Sequence, residues 1–177
     1  MIEIPDAGPV FLIALAVHVL AGLTSVVTGG LAAAARKRPG RHPRWGTGYL
    51  YGLSVVFATA VVMSVLRWEH NRHLLGIAVV AYGLGLAGRW AQRHRPHRWM
   101  LWHGIAMAGS YIALLTGFYV DNGARLPLWD RLPHLAYWVI PAAVGIPLTW
   151  RALVRNGALS RPPREASRPA GRTSPRR

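Results

Sequence analysis

The residues of this sequence with the means to do chemistry are its eight histidines. There is no cysteine, which excludes disulfides, thiolate metal sites and cysteine nucleophiles. No Asp or Glu sits deep in an apolar run, which argues against a carboxylate proton relay or a transporter built on buried acids. No nucleophile–base–acid set and no phosphate-binding loop stands out. Imidazoles can exchange protons near neutral pH or ligate a metal. His18 to His42 and His73 to His97 both span 24 residues, so the four could form two pairs at two heights of a bundle, His18 with His73 and His42 with His97. That is the arrangement of bis-histidine b-type haem sites, whose axial ligands come from facing helices.

Composition says where such helices would live. The chain has 177 residues, 52% hydrophobic, with a net charge of +15. A soluble core this small could not hide so much apolar surface, whereas a membrane protein confines its charge to loops and tails. Five apolar stretches emerge, 10–35, 45–66, 73–90, 99–120 and 134–154. Each is near the ~20 residues that cross a bilayer core. The third and fifth are the shortest, and Pro141 and Pro147 are expected to kink the fifth. The first stretch is too long for a signal peptide, and the segment before it carries Glu3 and Asp6 and no cation, so it is expected to be a retained span. The fold class is therefore all-α, a polytopic transmembrane helical bundle of five spans over 10–155. An outer segment, 1–9, precedes it, and a basic tail, 156–177, with almost nothing to bury is expected to be disordered.

The arginines orient the bundle. Arg36, Lys37, Arg38, Arg41 and Arg44 lie between spans one and two, and Arg89, Arg93, Arg95 and Arg98 flank the connection between three and four. The other connections carry fewer cations, offset by Glu69, Asp121 and Asp130. The positive-inside bias then puts the N-terminus outside and the C-terminus in the cytoplasm of a multi-pass protein of the cell (inner) membrane. All eight tryptophans sit near span ends, where an indole prefers the interface. The basic balance is thus topological, and nucleic acid is not an expected partner. Anionic lipid headgroups at the inner face are.

Small residues mark packing faces. Ala14, His18, Gly22, Ser25 and Gly29 form one helical stripe, with Gly48 and Gly52, then Ala81, Gly85 and Gly88, on later spans. Such Gly/Ala faces suit neighbouring spans or a homo- or hetero-oligomer. The motif Arg41-His42-Pro43-Arg44-Trp45 is echoed by Arg95-Pro96-His97-Arg98-Trp99, as a duplicated helical hairpin in the first four spans would produce. Aligned on the tryptophans, Tyr49 matches His103. His18 and His73 lie at similar heights above the inner face, and Gly22 and Gly76 beside them would leave room for a flat macrocycle. His103 is a further candidate, but its depth differs from that of His18 by ~20 Å, too far to share one metal. A surface metal site of His94 and His97 with His42 and His103 is disfavoured by Pro96 and by Arg93, Arg95 and Arg98, which would repel a cation.

On His18 with Gly22, the run His42-Pro43-Arg44-Trp45-Gly46-Thr47-Gly48-Tyr49, and His97-Arg98-Trp99-Met100, the chain resembles an uncharacterised family of predicted multi-pass bacterial membrane proteins. The resemblance implies a membrane location and no particular activity. More distantly the chain is similar to di-haem membrane cytochromes of the b type. It departs from them in that its paired histidines lie 24 residues apart rather than within one helix. Three functions are expected in descending order: a haem b electron-transfer protein using His18, His73, His42 and His97; a non-catalytic membrane assembly or lipid-contacting component; and a small-solute carrier. No residue is assigned a catalytic role.

Overall fold

The structure is a computed structural model that describes residues 8–36, 40–127 and 129–159, the side chain of His70 excepted. Five α-helices follow in order: α1 (Pro9–Ala34), α2 (Arg41–Leu66), α3 (Trp68–His94), α4 (Trp99–Asn122) and α5 (His134–Arg155), with a 3-10 turn, Gly123–Arg125, after α4. There is no strand among the described residues. All five are long and apolar enough to cross a membrane. The shortest, at 22 residues, extends ~33 Å at 1.5 Å per residue, against ~30 Å of hydrocarbon.

Two tight antiparallel hairpins make the frame. α1 packs along α2 and α3 along α4; α2 then joins α3, α4 touches α1, and α5 lies against α4. Only Arg67 separates α2 from α3, and the Asn71 side-chain amide donates to the Met63 carbonyl at the end of α2. That same Arg67 stacks over the ring of Phe11 near the start of α1, at 4.6 Å. The α2–α3 turn and the start of α1 thus share one end of the bundle, and the α1–α2 and α3–α4 connections share the other.

The third helix departs from its expected extent. Read as one of the two shortest spans, it is the longest helix, because Trp68–Arg72 and Ala91–His94 extend the apolar segment with interfacial turns. α5 runs uninterrupted through both prolines, with Pro141 buried. The tail predicted from 156 opens with a built cap: Gly157 is left-handed (φ 66°), its amide donates to the Val154 carbonyl, and the Ala158 amide reaches back to Leu153. Such a Schellman-type closure satisfies carbonyls that a helix end leaves bare. Residues 1–7 and 160–177, with the outer segment and basic tail expected there, lie outside the described residues.

The burial pattern inverts that of a soluble domain. Leu20, Val65, Leu135 and Ile146 are more than 60% exposed, while Ser25 and Ser110 are completely buried. Lipid tolerates such an apolar exterior, and small or hydroxyl side chains let helices approach inside it. At mid-height one polar layer ties the hairpins together. The Tyr49 hydroxyl donates to Ser110 Oγ at 2.7 Å, and Ser110 donates to the Ala81 carbonyl at 2.7 Å. The Tyr111 hydroxyl donates to the Val26 carbonyl at 3.0 Å. Three hydroxyls thereby link α1, α2, α3 and α4. Gly29 makes the layer possible: a Cβ there would lie 2.7 Å from the Tyr111 ring and 2.9 Å from the Tyr49 ring.

Candidate functional site

The site lies at the end of the bundle that holds the α1–α2 and α3–α4 connections, where two imidazoles meet. His42 sits in the first turn of α2, and its Nδ1–H donates to the Ala32 carbonyl at 2.9 Å. Ala32 belongs to the last turn of α1, where carbonyls run out of intrahelical partners. His103 sits in the second turn of α4, and its Nδ1–H donates to the Gly88 carbonyl on α3, also at 2.9 Å. The two ring centroids are 6.3 Å apart, with the planes at 84°. Because a carbonyl can only accept, each hydrogen bond fixes the proton on Nδ1, so the lone pair of each neutral ring is on Nε2.

Each ring is anchored through Nδ1, one feature that metal-ligating histidines share. Such residues donate their second ring nitrogen to a carbonyl or carboxylate, which holds the tautomer and the ring orientation. With a metal–nitrogen distance of ~2 Å and a ring radius of ~1.2 Å, imidazoles on opposite sides of one metal have centroids ~6.4 Å apart. The observed separation meets that figure, and it also falls within the ~4.5–7 Å of ordinary aromatic ring contacts. No group of three or more His, Asp or Glu is gathered among the described residues. Two imidazoles alone do not make a tetrahedral zinc site, which needs four ligands.

The other histidines fall elsewhere. His18 is half-buried, and its Nδ1–H donates to Thr59 Oγ1 on α2 at 2.9 Å, while the Thr59 hydroxyl is spent on the Val55 and Val56 carbonyls. It makes no ring contact with His73, which is exposed near the start of α3. α1 and α3 stand on one diagonal of the four-helix frame and α2 and α4 on the other. His97 is exposed in the α3–α4 turn, held out by Pro96 and by left-handed backbone at Arg95 (φ 47°) and Arg98 (φ 60°). His94 stacks on Trp90 with centroids 5.0 Å apart. Neither reaches His42.

The 24-residue spacing paired His42 with His97, whereas the imidazole in ring contact with His42 is His103. Helix α2 starts four residues before Trp45, whereas α4 starts at Trp99 itself. The hydrogen bonds of the two rings are alike: His42 donates to α1 and His103 to α3. Gly48 and Gly109 then lie six residues on, Tyr49 and Ser110 seven, and the buried leucines Leu53 and Leu114 eleven. A His-x5-Gly spacing followed by leucine would have exposed this register in the sequence.

Comparison with family models, known proteins and solved structures returns no match, and the resemblances noted above therefore stand on their motif residues alone.

Proposed function

We propose that this multi-pass membrane protein binds a b-type haem between His42 and His103 and serves electron transfer at the cytoplasmic end of its bundle. One observation carries the reading: two imidazoles from facing hairpins, each anchored through Nδ1 to a backbone carbonyl, stand at the separation of opposed axial ligands. The assignment of that end to the cytoplasm comes from its arginines, Arg36, Arg41, Arg44, Arg93, Arg95 and Arg98. A haem held there by His42 and His103 would supply one-electron transfer. His42 and His103 would hold the iron, and the Ala32 and Gly88 carbonyls would fix their tautomers. His18, His73 and His97 are not ligands in this reading.

The test is the absorption spectrum of detergent-solubilised protein from haem-replete cells, oxidised and then reduced. A Soret band is expected in wild-type protein, in His18→Ala and in His97→Ala, and is expected to be lost in His42→Ala and His103→Ala. A wild-type protein without the band would reject the proposal.

A second reading, a non-catalytic membrane component, is favoured by His18. Its hydrogen bond to Thr59 accounts for the intramembrane imidazole as a helix-to-helix tie. That reading requires full function in His42→Ala.

A further inference from the structure

Between α2 and α3, at the same end of the bundle, lies a cleft of about 160 Å3 lined by Thr47, Leu50, Tyr51, Ser54, Arg89 and Arg93. Cavities on the scale of ~150 Å3 hold a benzene-sized guest. Five of its six lining residues carry a polar group. Arg89 and Arg93 are one turn apart on α3 and both line the cleft, which brings two like charges close together. Thr47, Tyr51 and Ser54 line it from α2 at helical spacing.

Among the described residues no carboxylate pairs with either arginine. The acidic residues among those described, Glu69, Asp121 and Asp130, all belong to the opposite end, where Glu69 pairs with Arg72. Arg89 gives one donor to the Gln92 side-chain oxygen at 3.1 Å, one of the five a guanidinium offers. It is half-buried, five residues from the end of α3, which places it ~8 Å in from the helix end. A cation that deep is expensive unless a counter-charge reaches it. The polar belt of a bilayer is ~5–8 Å thick on each side. Lipid phosphates lie at that level.

From this we infer that the cleft is an anion site, in which Arg89 and Arg93 hold a phosphate group with the Thr47 and Tyr51 hydroxyls as further donors. The phosphate belongs either to a phospholipid headgroup or to a free phosphate anion. This site is separate from the histidine pair and does not depend on it.

Delipidated protein in a nonionic detergent is titrated with phosphatidylglycerol, with diacylglycerol and with inorganic phosphate, and binding is read by native mass spectrometry and tryptophan fluorescence. Saturable binding of phosphatidylglycerol but not diacylglycerol is expected, weakened at least ~10-fold in Arg89→Gln/Arg93→Gln, the scale of one charge-assisted hydrogen bond. Arg151→Gln/Arg155→Gln removes the same charge from the same end and is expected to leave binding unchanged. Arg93→Gln alone, at an exposed position, keeps the test valid should the double variant fail to fold. Saturable binding of inorganic phosphate that needs Arg89 would identify the free anion as the ligand, and its absence the lipid. Binding of neither probe, or equal loss in both double variants, overturns the site.

Discussion

Replacing Gly29 with alanine probes the layer on which the frame depends. The new methyl would sit 2.7 Å from Cδ2 and Cε2 of Tyr111 and 2.9 Å from Cδ2 of Tyr49. Those distances are well inside carbon–carbon contact, and neither ring can retreat freely, because both hydroxyls are engaged, Tyr49 on Ser110 and Tyr111 on Val26. Overpacking of this kind costs ~1–3 kcal/mol. A hydrogen bond between helices in a membrane adds ~0.6 kcal/mol when lost. The expected destabilisation is therefore on the order of 2–4 kcal/mol, reduced by the helix propensity that alanine restores, up to ~1 kcal/mol. Gly22→Ala is the internal control, since a Cβ there meets nothing within 4 Å and should be neutral or mildly stabilising. The assay is reversible unfolding in mixed micelles with increasing denaturing detergent, followed by tryptophan fluorescence. If Gly29→Ala unfolds within ~0.5 kcal/mol of Gly22→Ala, the scatter of a neutral substitution, the tight approach of α1 to the two tyrosines is refuted.

Further expectations follow from the same contacts. Ser110→Ala should destabilise more than Tyr49→Phe, because it strands both the Tyr49 hydroxyl and the extra bond to the Ala81 carbonyl; parallel unfolding curves decide the order. A double-mutant cycle of His18→Ala with Thr59→Val should give a coupling of ~0.6–1.7 kcal/mol, and zero coupling would remove the α1–α2 tie. Arg98→Gly should stabilise the fold by up to ~1 kcal/mol, because glycine adopts the left-handed backbone of the α3–α4 turn without strain; a lowered unfolding midpoint would contradict that backbone.

Much of the architecture is legible in residue order. Apolar length located all five helices, and the small-residue stripes correctly named packing faces: Ser25, Gly29 and Ala81 are buried, and Gly52 abuts Ser25. Gly22 is the exception, since it faces open space, so the small residue there serves no contact within the chain. Helix limits were harder to read because a helix outlasts its apolar core. The polar turns around Arg72 and Gln92 belong to α3 although neither would sit in hydrocarbon. The histidine pairing was the least legible feature. Hydropathy and charge report depth but say nothing about which helix faces which, and a diagonal placement of α1 and α3 separates residues at equal depth. Trp45 lies inside α2 whereas Trp99 begins α4, so the two gate motifs sit at different depths in their helices. The ring that meets His42 is that of His103, six residues beyond His97.

The absence of native cysteine allows single reporters to be placed anywhere in the chain. The most direct test of the account is the labelling of Arg44→Cys, Arg98→Cys, Glu69→Cys and Arg131→Cys in sealed vesicles with a membrane-impermeant maleimide. Positions 44 and 98 are expected to react from the cytoplasmic side alone, and positions 69 and 131 from the opposite side alone. Reaction of 44 and 98 from opposite faces would contradict this, because His42 and His103 could then not share one end of the bundle.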